Sequence, residues 1–256
     1  GLSDRSQHTS ACSAYRINPK RKLGLNRVAI LSIINSHNKV AVIDYGLGNL
    51  FSLARALRHV GADPEITADE ETLMGAAGII LPGVGAFKDG MQRLEQRALV
   101  NPMLKFAESG KPVLGVCLGM QLLFDASEEF GHYQGLGLVA GKVIRLLASD
   151  QDGRRVKIPH IGWNELHPAQ ENLSWESTNL CGLKPGDAAY FVHSYVPKPL
   201  ADRCAVAKMN YGGHWYCAAI EQGNISGVQF HPEKSGEVGL RILGNFVNRC
   251  KATVPC

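Results

Sequence analysis

No apolar run in this 256-residue chain approaches the ~18 residues that cross a membrane as a helix. The seven cysteines (12, 117, 181, 204, 217, 250 and 256) form no C-x-x-C pair and take no metal-type spacing with histidine. An odd count at irregular intervals fits free thiols in a reducing compartment. The nine histidines include His132, His160, His167, His193 and His214, with no H-x-H or H-E-x-x-H pattern, so no metal site is expected. Charge of one sign is also scarce: the net value is +4, nearly all of it from Arg5, Arg16, Lys20, Arg21, Lys22 and Arg27 against Asp4. The remainder is close to neutral, which argues against a nucleic-acid partner. The Gly46-Leu47-Gly48-Asn49 turn lacks the third glycine of a dinucleotide fingerprint and the lysine of a P-loop, so no nucleotide cofactor is expected. No internal repeat is present.

What is there begins with an apolar strand, Val113 to Val116, that runs directly into helical text. Cys117 sits at the junction with Gly115 and Gly119 two residues to either side, the cysteine form of a nucleophile elbow. Glycines without Cβ allow a sharp strand-to-helix turn. The helix start aims N–H groups and its positive end at the sulfur, which favours a thiolate and can later hold an oxyanion. A nucleophilic cysteine needs a base, and the base an orienting partner. Gly227 to Lys234 is a second apolar strand that ends in His231-Pro232-Glu233. Proline biases His231 toward an extended conformation, in which residues i and i+2 share a side, so Glu233 is expected beside it.

Strands and helices alternate through the first half: Lys39–Asp44, a helix from Leu50 ended by Gly61, Ile79–Leu81, helical text from about Phe87 to Ala107, then the elbow. This predicts a parallel, doubly wound sheet. From about Gly135 the text changes to short strands: 141–146, 162–166, 189–196, 205–209, 216–220 and 227–230. A closing helix is expected over 235–249, with Leu240, Leu243, Phe246 and Val247 on one face. The expected fold is α/β, an open doubly wound mixed sheet flanked by helices, with its site at the carboxyl ends of the strands.

Gly-Val-Cys-Leu-Gly-Met-Gln (115–121) together with Gln-Phe-His-Pro-Glu-Lys-Ser (229–235) resembles the class I (triad) glutamine amidotransferases. The stretches 43–50, 81–87 (Leu-Pro-Gly-Val-Gly-Ala-Phe), 160–164 (His-Ile-Gly-Trp-Asn) and 190–195 (Tyr-Phe-Val-His-Ser-Tyr) follow in that family's order, over roughly residues 39–250. These last stretches are most similar to its branch of glutaminase subunits that serve imidazole glycerol phosphate synthase in histidine biosynthesis. The resemblance implies L-glutamine hydrolysis by a Cys117–His231–Glu233 triad, with no cofactor. It implies an oxyanion hole from the N–H groups of Val84 and Leu118, and a substrate pocket of Gly85, Gln121, Glu129, His193, Ser194 and Tyr195. It further implies a (β/α)8-barrel cyclase partner that takes the ammonia, contacted through Asn49, Ser52, Trp163 and Lys234. A different synthase partner, a free-standing hydrolase and a silent binding subunit are the competing readings.

Residues 1–38 precede the resemblance and form a basic, serine-containing, acid-poor extension expected to be poorly ordered, with 39–250 the amidotransferase domain and 251–256 a tail. A cytoplasmic enzyme is expected, or a plastid or other organellar one if 1–38 is a transit peptide. The chain could also be the glutaminase part of a glutaminase–cyclase fusion.

Overall fold

The computed structural model describes residues 39–252. The expected N-terminal extension and residues 253–256 of the expected tail lie outside the described residues. The chain begins with β1 (Lys39–Ile43), α1 (Leu50–His59), β2 (Asp63–Thr67), α2 (Glu70–Gly75), β3 (Gly78–Leu81), α3 (Phe87–Gln96), α4 (Val100–Glu108), β4 (Val113–Val116) and α5 (Leu118–Leu122). It continues with β5 (Phe124–Ser127), β6 (Tyr133–Gln134), β7 (Val139–Arg145), β8 (His160–Glu165), β9 (His167–Pro168), β10 (Ala188–His193) and β11 (Tyr195–Pro199). Last come β12 (Ala205–Tyr211), β13 (His214–Gln222), β14 (Ile225–Val228) and α6 (Gly236–Ala252).

The central sheet has eight strands in the order β2-β1-β3-β4-β14-β13-β12-β9. Neighbours run parallel from β2 to β14 and antiparallel beyond it. The two-residue period of the strands divides the core. Val40 and Val42 face a layer that includes Leu53 and Leu57 of α1 and Ile242, Leu243 and Phe246 of α6. Ala41 and Ile43 face the opposite layer, with Leu94 of α3, Phe106 of α4 and Leu118 of α5. Helices therefore cover both faces, as the alternation of strand and helix text requires. A four-stranded sheet, β11-β7-β5-β6, and the pair β10-β8 stand apart from the main sheet.

Several elements depart from expectation. The helical stretch from Phe87 breaks into α3 and α4, because Ala98 takes a left-handed φ of 54° between them. The strand expected over 189–196 splits at Ser194, and its halves, β10 and β11, join different sheets. β2 and α2 had no counterpart in the sequence reading. α6 runs through Lys251 to Ala252, two positions of the expected tail.

Gly239 on α6 lies directly over the turn that follows β14: a Cβ there would collide with the Pro232 carbonyl oxygen, a backbone atom that cannot swing aside. Gly239→Ala is therefore expected to lower the unfolding free energy by about 1–3 kcal/mol, the usual range for overpacking a tight contact, in denaturant titration. An unchanged midpoint would show that the turn shifts freely.

Candidate active site

β4 ends at the sheet centre beside β14, and the parallel register pairs Val116 with Val228. The Cys117 N–H donates to the Val228 carbonyl at 2.8 Å, so the sulfur emerges next to the end of the strand that leads to His231. Cys117 has φ 54° and ψ −111°, outside the regions an L-residue occupies comfortably. The strain thus falls on the cysteine, and the two glycines serve for clearance. A Cβ on Gly115 would lie 2.6 Å from Met120 Cα, and one on Gly119 would collide with the Leu81 carbonyl oxygen. Both glycines let the elbow sit flush against the main sheet.

His231 has extended dihedrals (φ −101°, ψ 97°), after which Pro232–Lys234 forms a single 3₁₀ turn. Glu233 reaches the imidazole through that turn, and not by strand alternation as the sequence reading had it. His231 Nδ1 and Glu233 Oε1 are 3.0 Å apart, and their side chains are only 4% and 3% exposed. The backbone is pinned on both sides: His231 N–H donates to the Tyr190 carbonyl at 2.9 Å, and Ser235 Oγ donates to the His231 carbonyl at 2.7 Å. Burial alone would lower the His231 pKa. Hydrogen bonds to Cys117 and Glu233, with the negative charge of both, outweigh it and push the pKa up to about 10.

Around Cys117 and His231 lies a cavity of about 210 Å³. Its walls include Val84, Gly85, Leu118, Gln121 and Glu129. Val192, His193, Ser194 and Tyr195 close it from the break between β10 and β11, together with Pro159. The residues expected to form the oxyanion hole and the substrate pocket thus lie around one cavity with Cys117 and His231. The Gln121 amide donates to the Tyr195 carbonyl at 2.9 Å and to Gln229 Oε1 at 3.0 Å. Glu129 Oε2 accepts from the Phe87 N–H at 2.6 Å, yet burial, with some repulsion from Asp89, raises its carboxyl above the ordinary range. Tyr45, whose hydroxyl donates to the Pro82 carbonyl at 2.7 Å, ties the end of β1 to the Pro82-Gly83-Val84-Gly85 segment.

None of the four expected interface residues lines the cavity. Asn49 shares a small enclosed space with Glu233, and Ser52 shares a neighbouring groove with it. Trp163 is 58% exposed, its ring 6.1 Å from that of Tyr190, over which the Lys234 ammonium sits at 5.9 Å. Phe51 and Ile161 are further exposed apolar side chains, on α1 and β8, that sequence reading did not single out. It also passed over Gln229 and His160. Gln229 lies two residues before His231, on the same side of an extended stretch, and its amide is 3.7 Å from Cys117 Sγ. Among the described residues no group of three or more His, Cys, Asp or Glu side chains could hold a metal ion, and no helix is long and apolar enough to cross a membrane.

The raised His231 pKa has a consequence for stability. A base whose folded pKa lies above its ordinary 6.5 adds stability that is fully present below pH 6.5 and is lost as pH rises through about 10. Glu233→Gln removes one of the interactions that raise it. The stability gap between wild type and Glu233→Gln is therefore expected to be greatest below pH 6.5 and to narrow toward pH 10 in denaturant titrations. A gap that widens with pH contradicts this account of the pair.

Residues 41–250 match the family model for class-I glutamine amidotransferases. The chain is 45% identical over 210 residues to imidazole glycerol phosphate synthase subunit HisH 1 of Legionella pneumophila (strain Lens), a match covering 82% of this chain and 99% of that relative. It is 44% identical to subunit HisH of Geobacter sulfurreducens, covering 81% of this chain and 97% of the relative. A crystal structure of a glutamine amidotransferase superposes with a TM-score of 0.61 at 20% identity, covering 82% and 98% of the two chains. The PurLQS structure from Thermotoga maritima gives 0.59 at 22% identity, covering 82% and 97%; both show a shared fold. With a match of that length, and identity sustained over nearly the whole of these relatives, the chain belongs to the class-I glutamine amidotransferases, in the group of imidazole glycerol phosphate synthase HisH subunits.

Proposed function

We propose that this chain is the glutaminase subunit of an imidazole glycerol phosphate synthase, releasing ammonia from L-glutamine through a Cys117–His231–Glu233 triad. The observation that carries this reading is the convergence on one cavity of an elbow cysteine and a histidine that is itself paired with a buried glutamate. The Cys117 thiolate attacks the side-chain amide of glutamine, and the N–H groups of Val84 and Leu118 hold the developing oxyanion. His231, poised as an imidazolium, protonates the departing ammonia and then takes a proton from the water that hydrolyses the γ-glutamyl thioester. Glu233 orients the imidazole and stabilises its charged form. Gly85, Gln121, Glu129, His193, Ser194 and Tyr195 surround the substrate.

Ammonia released into water would be protonated and diluted, so it must pass directly to an acceptor site. A (β/α)8-barrel cyclase supplies that site, docked over Asn49, Ser52, Trp163 and Lys234, and uses the ammonia to form imidazole glycerol phosphate and AICAR in histidine biosynthesis. Phe51, next to Ser52 in the chain, and Ile161 and Trp163 on β8 are exposed apolar side chains, which supports a protein partner contacting these elements. Irregularly spaced free thiols support a reducing compartment, the cytoplasm.

Cys117→Ala is expected to lower glutamine hydrolysis by more than about 10³-fold while leaving the fold and cyclase affinity unchanged. Activity within tenfold of wild type would remove the triad. In the wild type, kcat is compared for glutamine alone, with cyclase, and with cyclase plus its nucleotide-sugar ligand. The Val84 segment need not rest in its oxyanion-competent conformation, so kcat is expected to rise at each step. Equal rates in all three would point to a free-standing hydrolase.

A further inference from the structure

From His193 in the cavity wall a chain of polar groups runs inward to His160 and Asn164, to which the proposed chemistry gives no role. His193 Nδ1 is 2.9 Å from the Tyr195 carbonyl oxygen, which can only accept, so Nδ1 carries a proton. Burial, with the neighbouring His160 and His231, outweighs that hydrogen bond and keeps the ring neutral, its pKa pushed down to about 3. The lone pair therefore sits on Nε2. His160 Nδ1 is 3.4 Å from that atom and must be the donor. His160 is neutral as well, its pKa lowered by burial to about 4, so its own Nε2 accepts from Asn164 Nδ2 at 3.4 Å. Asn164 is anchored by a 2.7 Å donation to the Asn210 carbonyl. Every link in the chain has one permitted direction.

Strand alternation puts this chain on the inner side of β8: His160 is buried and Asn164 half-buried, while Ile161 and Trp163 between them are exposed. The other end reaches the reacting sulfur twice. Val192, which precedes His193, holds its carbonyl oxygen 3.8 Å from Cys117 Sγ. The Tyr195 carbonyl receives Gln121, which also donates to Gln229, whose amide is 3.7 Å from the same Sγ. His193 lies between those two carbonyls in the chain.

We propose that His160 is a positioning residue for the substrate cavity: its Nδ1–H holds the His193 ring in one orientation, and His193 in turn fixes the Val192 and Tyr195 carbonyls in the cavity wall. The proposal rests on reading this cavity as the glutamine site. His160 touches no substrate and acts only through His193.

Two variants separate positioning from packing. His160→Phe keeps a ring against Phe191 and Tyr211, which lie 5.3 and 4.1 Å away between centroids, but has no N–H to donate. His160→Gln gives up the ring and restores a side-chain N–H. Measured with the cyclase present, His160→Phe is expected to raise KM for glutamine about five- to tenfold, the worth of one buried hydrogen bond, with kcat within about twofold. His160→Gln should return KM to within about twofold of wild type. The reverse ranking, or wild-type KM in both, overturns the proposal. Nitrogen-15 imidazole spectra of the full chain give a readout independent of activity and of any variant's folding. The His193 Nδ1-protonated tautomer is expected in the wild type, and in His160→Phe the His193 Nε2 resonance is expected to shift as that nitrogen loses its donor, an unshifted resonance counting against the proposal. A wild-type His193 protonated at Nε2 overturns the proposal even if the chain hydrolyses glutamine, and a wild type inactive on glutamine with the expected tautomer would instead fault the reading of the cavity.

Discussion

Parallel pairing of β4 with β14 is the constraint on which the site depends. These strands are far apart in the chain, and only their adjacency sets the elbow cysteine beside the histidine. Apolar burial drives the pairing but leaves its register free by whole residue pairs, and polar side chains fix it. Ser226 Oγ donates to the Val113 carbonyl at 2.8 Å, and Asn224 Nδ2 donates to the Ala107 and Lys111 carbonyls at 2.8 and 2.9 Å. Asn179 Nδ2 caps Ser226 from the other side at 3.0 Å. A slip of two residues would break these bonds, leaving the buried Ser226 and Asn179 groups unpaired at about 1–3 kcal/mol apiece. A slip would also separate Cys117 N–H from Val228. Structure and chemistry therefore share one register.

The same interior drives three buried imidazoles to opposite states. His231 has a carboxylate and a sulfur as partners and is held as a cation; His193 and His160 have only carbonyls, an amide and each other, and stay neutral. Burial alone lowers all three, so the difference lies in the partners. In the proposed chemistry the charged ring carries a proton to the leaving group, while the two neutral rings keep their hydrogen-bond directions in the wall around it.

The fold class could be read from the sequence because β1, β3 and β4 are short apolar runs flanked by helix-period text, a pattern that only a sheet covered on both faces satisfies. β2 was hidden because it is an edge strand, Asp63-Pro64-Glu65-Ile66-Thr67, whose proline and acids are tolerated where one side has no sheet neighbour. α2 is too short, at six residues, to show a period. The break at Ala98 carries no glycine or proline, although Pro102 in the first turn of α4 marks a helix start. Cys117, His231 and Glu233 were legible from local spacing. His160 and His193 were not legible as a pair, since β8 and β10 meet only through tertiary pairing. The 3₁₀ turn that delivers Glu233 was likewise misread as strand, because His-Pro-Glu fits either backbone.

The central claim is that the Cys117 sulfur forms a covalent acyl bond with the glutamine side chain. It is tested most directly by quenching the chain in acid during turnover with cyclase, ligand and glutamine, then digesting it for mass spectrometry. The account predicts a γ-glutamyl adduct on the peptide that contains Cys117, lost on treatment with hydroxylamine and absent from Cys117→Ala. Glutamine turnover with no adduct on that peptide under conditions that preserve thioesters, or an adduct on another cysteine that persists in Cys117→Ala, would contradict it.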